Sequence, residues 1–329
     1  MKEVYIDGQP ETDQPRSFGR KLVRILKWLL LLVVLVVIAV VAFVWVNLSK
    51  LSVNPLDFSG LSQTSGRTNI LILGDGDPGH PGQTLTDTMM VLSINHTTHQ
   101  VAMISIPRDL RVAIPGKYTT KINAANALGG PALAEQTVAN TLAIPIHYYI
   151  LTDFSGLKQA VDAVGGLDIT VKDRLADSEY PCDTGGGICP LDIEPGNYHM
   201  NGAMILEYTR CRKGTCGNDF GRAARQQEVI EKLEAKVSQP KVYLNIKTDT
   251  ALLTTLTTYA KTNMSSNNLV SLGRSMKGVT NPIQFVYNTS PGGLLVSGGG
   301  SDLVPAGGSF TPMQNLAQNI FTVTLPAPK

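Results

Sequence analysis

RTNILILGDGDPGHPGQTLTDTMMVLSINHTTHQVAMISIPRD, residues 67–109, decides the fold class of this 329-residue chain. It holds three short apolar runs, Asn69–Leu73, Met89–Ile94 and Val101–Ile106, separated by turn-forming residues. Runs of this length, rich in Ile, Val and Leu and bounded by Gly, Pro and Asn, read as buried strands. Asn95–Gln100 (NHTTHQ) joins the second run to the third as a hairpin. Downstream the period becomes helical. Gly130-Pro131 precedes LAEQTVANTL, with the proline placed as in a helix first turn. Asp153 is positioned to cap a helix whose Leu157, Ala160, Val161 and Val164 share one face, and Gly165-Gly166 ends it. Leu167–Val171 and Pro282–Val286 are further strands, and Ala203–Arg210 reads as a strand or extended edge. Helices are expected over about 220–237, behind Asn218 or Asp219, and over 268–276 and 312–321. This mixture predicts an α/β protein, an α-β-α sandwich with a central sheet flanked by helices.

Upstream the chemistry differs. Trp28–Val46 is an unbroken apolar run, long enough at about 1.5 Å per residue to cross a bilayer. Arg16, Arg20, Lys21, Arg24 and Lys27 precede it and only Lys50 follows closely, so the N-terminus is expected in the cytoplasm and the rest outside. The predicted organisation is a cytoplasmic tail (1–27), one membrane helix (28–47), a stalk (48–66) and an extracytoplasmic domain (67–329), a single-pass type II protein of the cell membrane. A cleaved signal peptide is the alternative, but its apolar core is usually shorter. With a net charge of +2, residing in the tail, the exported part is neutral and gives no case for nucleic-acid binding. Four cysteines, Cys182, Cys189, Cys211 and Cys216, fall within 35 residues. An oxidising compartment favours disulfides, and the local pairs 182–189 and 211–216 are expected; the spacing does not match a zinc finger.

The residues that could carry chemistry are mostly basic. On an extended strand Tyr208, Arg210 and Arg212 would share a side. On the helix that follows, Arg222, Arg225, Gln226 and Val229 fall on one face, near a helix N-terminus with free N–H groups. Four guanidiniums in a neutral domain suit a doubly charged phosphate group, since each offers paired donors. Glu207, Asp219 and Glu228 are available for the plainer alternative, a salt-bridged surface. Arg108 follows a strand and is a candidate for the same cavity, beside Asp109. Asp87 precedes a strand, where a carboxylate can hold a divalent cation or merely cap a turn. Gly74–Gly79 matches G-x-G-x-x-G, but Pro78 and Pro81 prevent the helix that a dinucleotide site requires. There is no G-x-S-x-G, H-E-x-x-H or P-loop.

In order along the chain, NILILG (69–74), TDTMM (86–90), SIPRD (105–109), KINAANALGG (121–130), VDAVGGLDITV (161–171), EYTRCR (207–212) and DFGRAARQQ (219–227) resemble the LytR–CpsA–Psr family of bacterial cell-wall glycopolymer transferases. The resemblance implies a magnesium- (or manganese-) dependent phosphotransferase. It would move a glycopolymer from a polyprenyl-pyrophosphate carrier to peptidoglycan through a phosphodiester, with the prenyl chain in an apolar tunnel. It implies Arg108, Lys121, Arg210, Arg212, Arg222, Arg225 and Gln226 as pyrophosphate ligands. Asp87 is the implied metal ligand; apart from the resemblance, Asp87 and Asp109 are the candidates for aiding deprotonation of the acceptor. The family often has G-x-D-x-R in the first loop and then R-S-D-T; here Gly76 stands where the first Asp belongs, and Leu85-Thr86 replaces Arg-Ser. Asp77 is the expected second metal ligand and Asp75 its competitor. A non-catalytic lipid-pyrophosphate binder and a plain pyrophosphatase are the alternative functions.

Overall fold

Strand β1 (Arg67–Gly74) lies inside a six-stranded sheet, paired antiparallel with β2 (Thr88–Asn95) from Arg67 opposite Asn95 to Gly74 opposite Thr88. The expected hairpin returns the chain as β3 (Val101–Ser105). Strand β6 (Tyr148–Thr152) runs parallel to β1, and β11 (Ala260–Thr262) antiparallel to β6. Strand β12 (Ile283–Val286) closes the other edge, parallel to β3. The sheet is therefore mixed. These observations come from a computed structural model that describes residues 60–323 apart from 78–82, 183–186, 240–241, 243–245, 277–278 and 280. The expected tail, membrane helix and most of the stalk lie outside the described residues, among which no helix is long and apolar enough to cross a membrane.

The uninterrupted apolar runs are explained by helices on both faces of the sheet. Leu71, Leu73, Met89, Val91 and Ile104 pack against Ala134, Val138 and Leu142 of α1 (Ala124–Leu142) and Met313 of α7 (Thr311–Gln318). Ile70, Met90, Leu92 and Met103 point the other way, toward Ile230 of α4 (Asn218–Val237) and Leu269 and Leu272 of α6 (Ser266–Met276). Alternation along a strand sends neighbours to opposite faces, so a strand covered on both sides is apolar throughout. The α-β-α layering is as expected. Helix α1 starts earlier than Pro131, with a break at Gly129-Gly130, where Gly130 has φ 75°. Asp153 caps α2 (Phe154–Ala163) by accepting from Gly156 N–H at 2.8 Å.

One expectation holds and one changes. Leu167–Val171 is a strand (β7), but it pairs only with β10 (Gly196–Met200), in a ribbon outside the main sheet. Ala203–Arg210 is not extended: it belongs to helix α3 (Gly202–Arg210). Asn201 caps it by accepting from Met204 N–H, and Ile205, Tyr208 and Thr209, at i, i+3 and i+4, are buried. The period-two face of Tyr208, Arg210 and Arg212 therefore does not exist. Arg210 ends the helix, and Arg212 follows in the next turn.

One edge of the main sheet gathers the chemistry. Gly74 is opposite both Thr88 and Thr152, and Ser105 lies across from Met90. Asp75, Asp87, Asp153 and Arg108 thus leave or enter strands at the same edge, as do ligand-binding loops in other α/β sheets.

Candidate active site

From that edge a cavity of about 320 Å³ runs between the sheet and helices α2, α3 and α4. Its body is apolar, walled by Ile72, Ile150, Leu157, Leu206, Ile230 and Leu233 among others. The polar lining comprises Asp75, Asp87, Arg108, Asp153, Arg210, Arg212, Arg222 and Gln226, with Thr88, Thr152, Thr209 and Thr255. A largely apolar cavity with guanidiniums in its lining suits a molecule that has both an apolar part and an anionic group.

Arg222, Gln226, Val229, Ile230 and Leu233 line the cavity from α4, repeating every three to four residues. Arg222 is buried, and its Nη2 donates to the Asp87 carbonyl at 3.1 Å while lying 3.3 Å from Asp219. Burial pulls its pKa down, against the pull of Asp219 and Asp87. Arg108 pairs through Nη1 with Asp87. Its Nε is buried with no hydrogen-bond partner, 3.5 Å from Asp219 and 3.7 Å from Asp109. Burial opposes its charge, but Asp87, Asp219 and Asp109 outweigh it and raise the pKa. Arg210 lies 4.6 Å from the Phe154 ring centroid and 5.2 Å from that of Tyr180, so its guanidinium is held by aromatic faces. The orphaned Nε of Arg108 and this concentration of fixed cations fit the oxygens of a phosphate anion.

Arg225 does not line the cavity. Although it is three residues from Arg222, it turns to the other flank of α4 and donates to the carbonyls of Tyr208 (2.8 Å), Cys216 (2.8 Å) and Cys211. Burial lowers its pKa to about 10. Lys121 is also off the cavity: its Nζ donates to Asp109 Oδ1 and Ser301 Oγ, each at 2.6 Å. Asp109, off the cavity as well, is tied to Lys121 rather than standing as a free base.

Among the carboxylates, Asp87 and Asp75 line the cavity, one entering β2 and the other leaving β1. Burial, then the neighbouring Asp153, raises the Asp75 pKa to about 6. Asp77 is turned away, accepting from Ser155 N–H at 2.8 Å and from its hydroxyl at 3.0 Å. Two carboxylates beside an anion pocket form an oxygen-donor set that fits Mg²⁺ or Mn²⁺, which need only one or two protein carboxylates. Among the described residues, three metal-type side chains converge only at Asp177, Cys211 and Cys216. There the structure sets the two sulfurs at bonding distance, and Asp177 accepts from the backbone N–H groups of Arg212 and Lys213. The sulfurs of Cys182 and Cys189 likewise lie at disulfide distance, 2.06 Å apart.

Sequence reasoning treated Asp219 as a helix cap or a salt-bridge partner and overlooked Phe154, Tyr180 and Ser301. Asp219 stands at the first turn of α4 against Arg108 and Arg222. Burial works against its ionisation but Arg222, Arg108 and Arg212 prevail, holding its pKa below the usual range. Its position in the first helical turn, three residues before Arg222, was the available signal.

The chain belongs to the LytR_cpsA_psr family, whose model matches residues 47–296. It is 35% identical over 237 residues to the polyisoprenyl-teichoic acid–peptidoglycan teichoic acid transferase TagU of Oceanobacillus iheyensis, covering 69% of this chain and 68% of that one. It is 30% identical over 240 residues to the regulatory protein MsrR of Staphylococcus aureus, covering 70% and 69%. Among solved structures, TagV of B. subtilis superposes with a TM-score of 0.61 at 25% identity, covering 80% of this chain and 100% of TagV. YwtF (TagT), solved with bound octaprenyl pyrophosphate lipid, shares the fold at 22% identity and a TM-score of 0.59, over 83% of this chain and 97% of that one.

Proposed function

We propose that the protein is a membrane-anchored phosphotransferase that moves a glycopolymer from a polyprenyl-pyrophosphate carrier to peptidoglycan, working on the outer side of the cell membrane. The observation that carries this reading is one cavity combining an apolar body with Arg108, Arg210, Arg212 and Arg222. The relative named as a teichoic acid transferase supports the same class of reaction.

The prenyl chain would occupy the apolar slot and the pyrophosphate would meet the arginines. A sugar hydroxyl of the acceptor attacks the phosphorus nearest the glycan. The new P–O bond forms as the bridging P–O bond breaks, yielding a glycan–acceptor phosphodiester and polyprenyl monophosphate, with loss of the acceptor's proton. Arg108 and Arg222 would stabilise charge growing on the leaving phosphate. Asp87 and Asp75 would hold magnesium or manganese, which when bound supplies further charge neutralisation there. The apolar wall keeps water from the donor side.

Binding tests the donor site. The purified full chain should bind farnesyl diphosphate and discriminate against farnesol, and Arg222→Ala should remove the discrimination. Equal binding of both compounds by the wild type would rule the reading out. The name of MsrR keeps a second function in view, a non-catalytic regulatory protein with the same pocket. That function retains diphosphate binding and lacks transfer.

A further inference from the structure

Beside the cavity, but not lining it, lies a C-terminal hairpin of β13 (Leu295–Gly299) and β14 (Asp302–Pro305). Most of it falls beyond the segment matched by the family model. Its tip is fastened around the residue behind Arg108. The Leu303 backbone N–H donates to the Asp109 carbonyl at 3.0 Å, and Arg111 Nη1 donates to Asp302 at 2.8 Å. Lys121 Nζ bridges Ser301 Oγ and Asp109 Oδ1, each at 2.6 Å. The other carboxylate oxygen, Asp109 Oδ2, stops 3.7 Å from Arg108 Nε, beyond hydrogen-bond range. The hairpin turns through Gly299 and Gly300, with φ 102° and 57°, a backbone conformation that side-chain-bearing residues rarely adopt.

We infer that Lys121 and the β13–β14 hairpin are a positioning device for Arg108. Lys121 neutralises Asp109 and, braced by Ser301, holds it back, so the Arg108 guanidinium, whose Nε bonds neither Asp219 at 3.5 Å nor Asp109 at 3.7 Å, keeps its place in the cavity lining. Without that brace Asp109 is an unneutralised, partly buried anion whose nearest cation is Arg108. The guanidinium would then be drawn onto it and away from the cavity. This inference rests on the proposed reading of the arginine site. It makes Lys121 act through Asp109 rather than by touching the ligand.

A double-mutant cycle with farnesyl diphosphate as probe, on the full chain, tests it. Lys121→Ala should weaken binding about tenfold and Ser301→Ala about two- to threefold, while Lys121→Arg should stay within about threefold of wild type. In an Arg108→Ala background, Lys121→Ala should add less than about a further twofold, because the residue it positions is gone. The same additional loss in that background would mean that Lys121 contacts the diphosphate directly, and would overturn the inference. So would unchanged affinity in Lys121→Ala when Arg222→Ala is weakened. If neither variant is weakened, the arginine site itself is misread and the inference falls with it. Should Lys121→Ala not fold, the cycle of Ser301→Ala with Arg108→Ala decides by the same criterion.

Discussion

Arg222 and Arg225 lie three residues apart on one helix, yet the first guanidinium faces the cavity and the second faces away into a ring of backbone carbonyls. Their variants should fail differently. Arg225→Ala strands buried carbonyls of Tyr208, Cys211 and Cys216, so it should lower stability by about 3 kcal/mol or more, seen as a fall in Tm. Arg222→Ala, which frees one carbonyl and Asp219 but also removes a desolvated charge, should lower Tm less than Arg225→Ala does. It should instead cut donor turnover by roughly 10- to 150-fold, the worth of a charge-assisted contact of about 1.5–3 kcal/mol. Arg210→Ala should behave like Arg222→Ala. A turnover defect in Arg225→Ala without loss of stability would return Arg225 to the binding site.

The metal prediction turns on which loop carboxylate faces the cavity. Asp87→Asn keeps its shape and loses its charge, so it should abolish the response of turnover to magnesium. Asp75→Asn should weaken that response, whereas Asp77→Asn, outside the lining and bonded to Ser155, should be mild. Magnesium titrations of the three variants check this. A wild-type response in Asp87→Asn would remove the metal assignment.

The Asp177 carboxyl should govern part of the acid limb of stability. Burial acts against its ionisation, but the backbone N–H groups of Lys213, Arg212 and Glu179 outweigh it and hold its pKa below the ordinary value. A folded pKa below the unfolded one, about 3.9, stabilises the fold above that pH; the gain is lost as pH falls through the folded value. Asp177→Asn should therefore be less stable near neutrality and lose less Tm than wild type between about pH 5 and pH 2.5. Parallel acid limbs in the two proteins would show that Asp177 is not the linked group.

The cysteines give a prediction read by mass. Protein exported to an oxidising compartment should show no alkylatable thiol, and reduction should loosen the turn between α3 and α4, where Cys211 separates Arg210 from Arg212. Four labelled thiols in unreduced protein would contradict the pairing.

Much of the sheet was legible because strands covered on both faces are apolar without interruption, as in Asn69–Leu73 and Val101–Ile106. Ala203–Arg210 was not, because its mixture of apolar and polar residues fits both periods over eight positions. The cap at Asn201 and the common burial of Ile205, Tyr208 and Thr209 decide it. Within the site, Arg222 and Gln226 follow from helical spacing alone. Arg225 does not, since a spacing of three leaves it on a flank, and only the fold of the 211–216 turn says what that flank meets. Counting along the first loop pointed to Asp77. The strand ends at Gly74, however, and Asp75 N–H bonds the Thr152 carbonyl, which puts Asp75 first at the cavity.

The central claim is transfer, and one measurement addresses it directly. The purified full chain is given a polyprenyl-pyrophosphate-linked oligosaccharide and peptidoglycan fragments, with and without magnesium, and the products are weighed by mass spectrometry. The account predicts a magnesium-dependent phosphodiester adduct of glycan and peptidoglycan together with polyprenyl monophosphate, both formed roughly 10- to 150-fold more slowly in Arg222→Ala. Release of glycan phosphate and polyprenyl monophosphate regardless of acceptor, or an intact donor under all conditions, would contradict it.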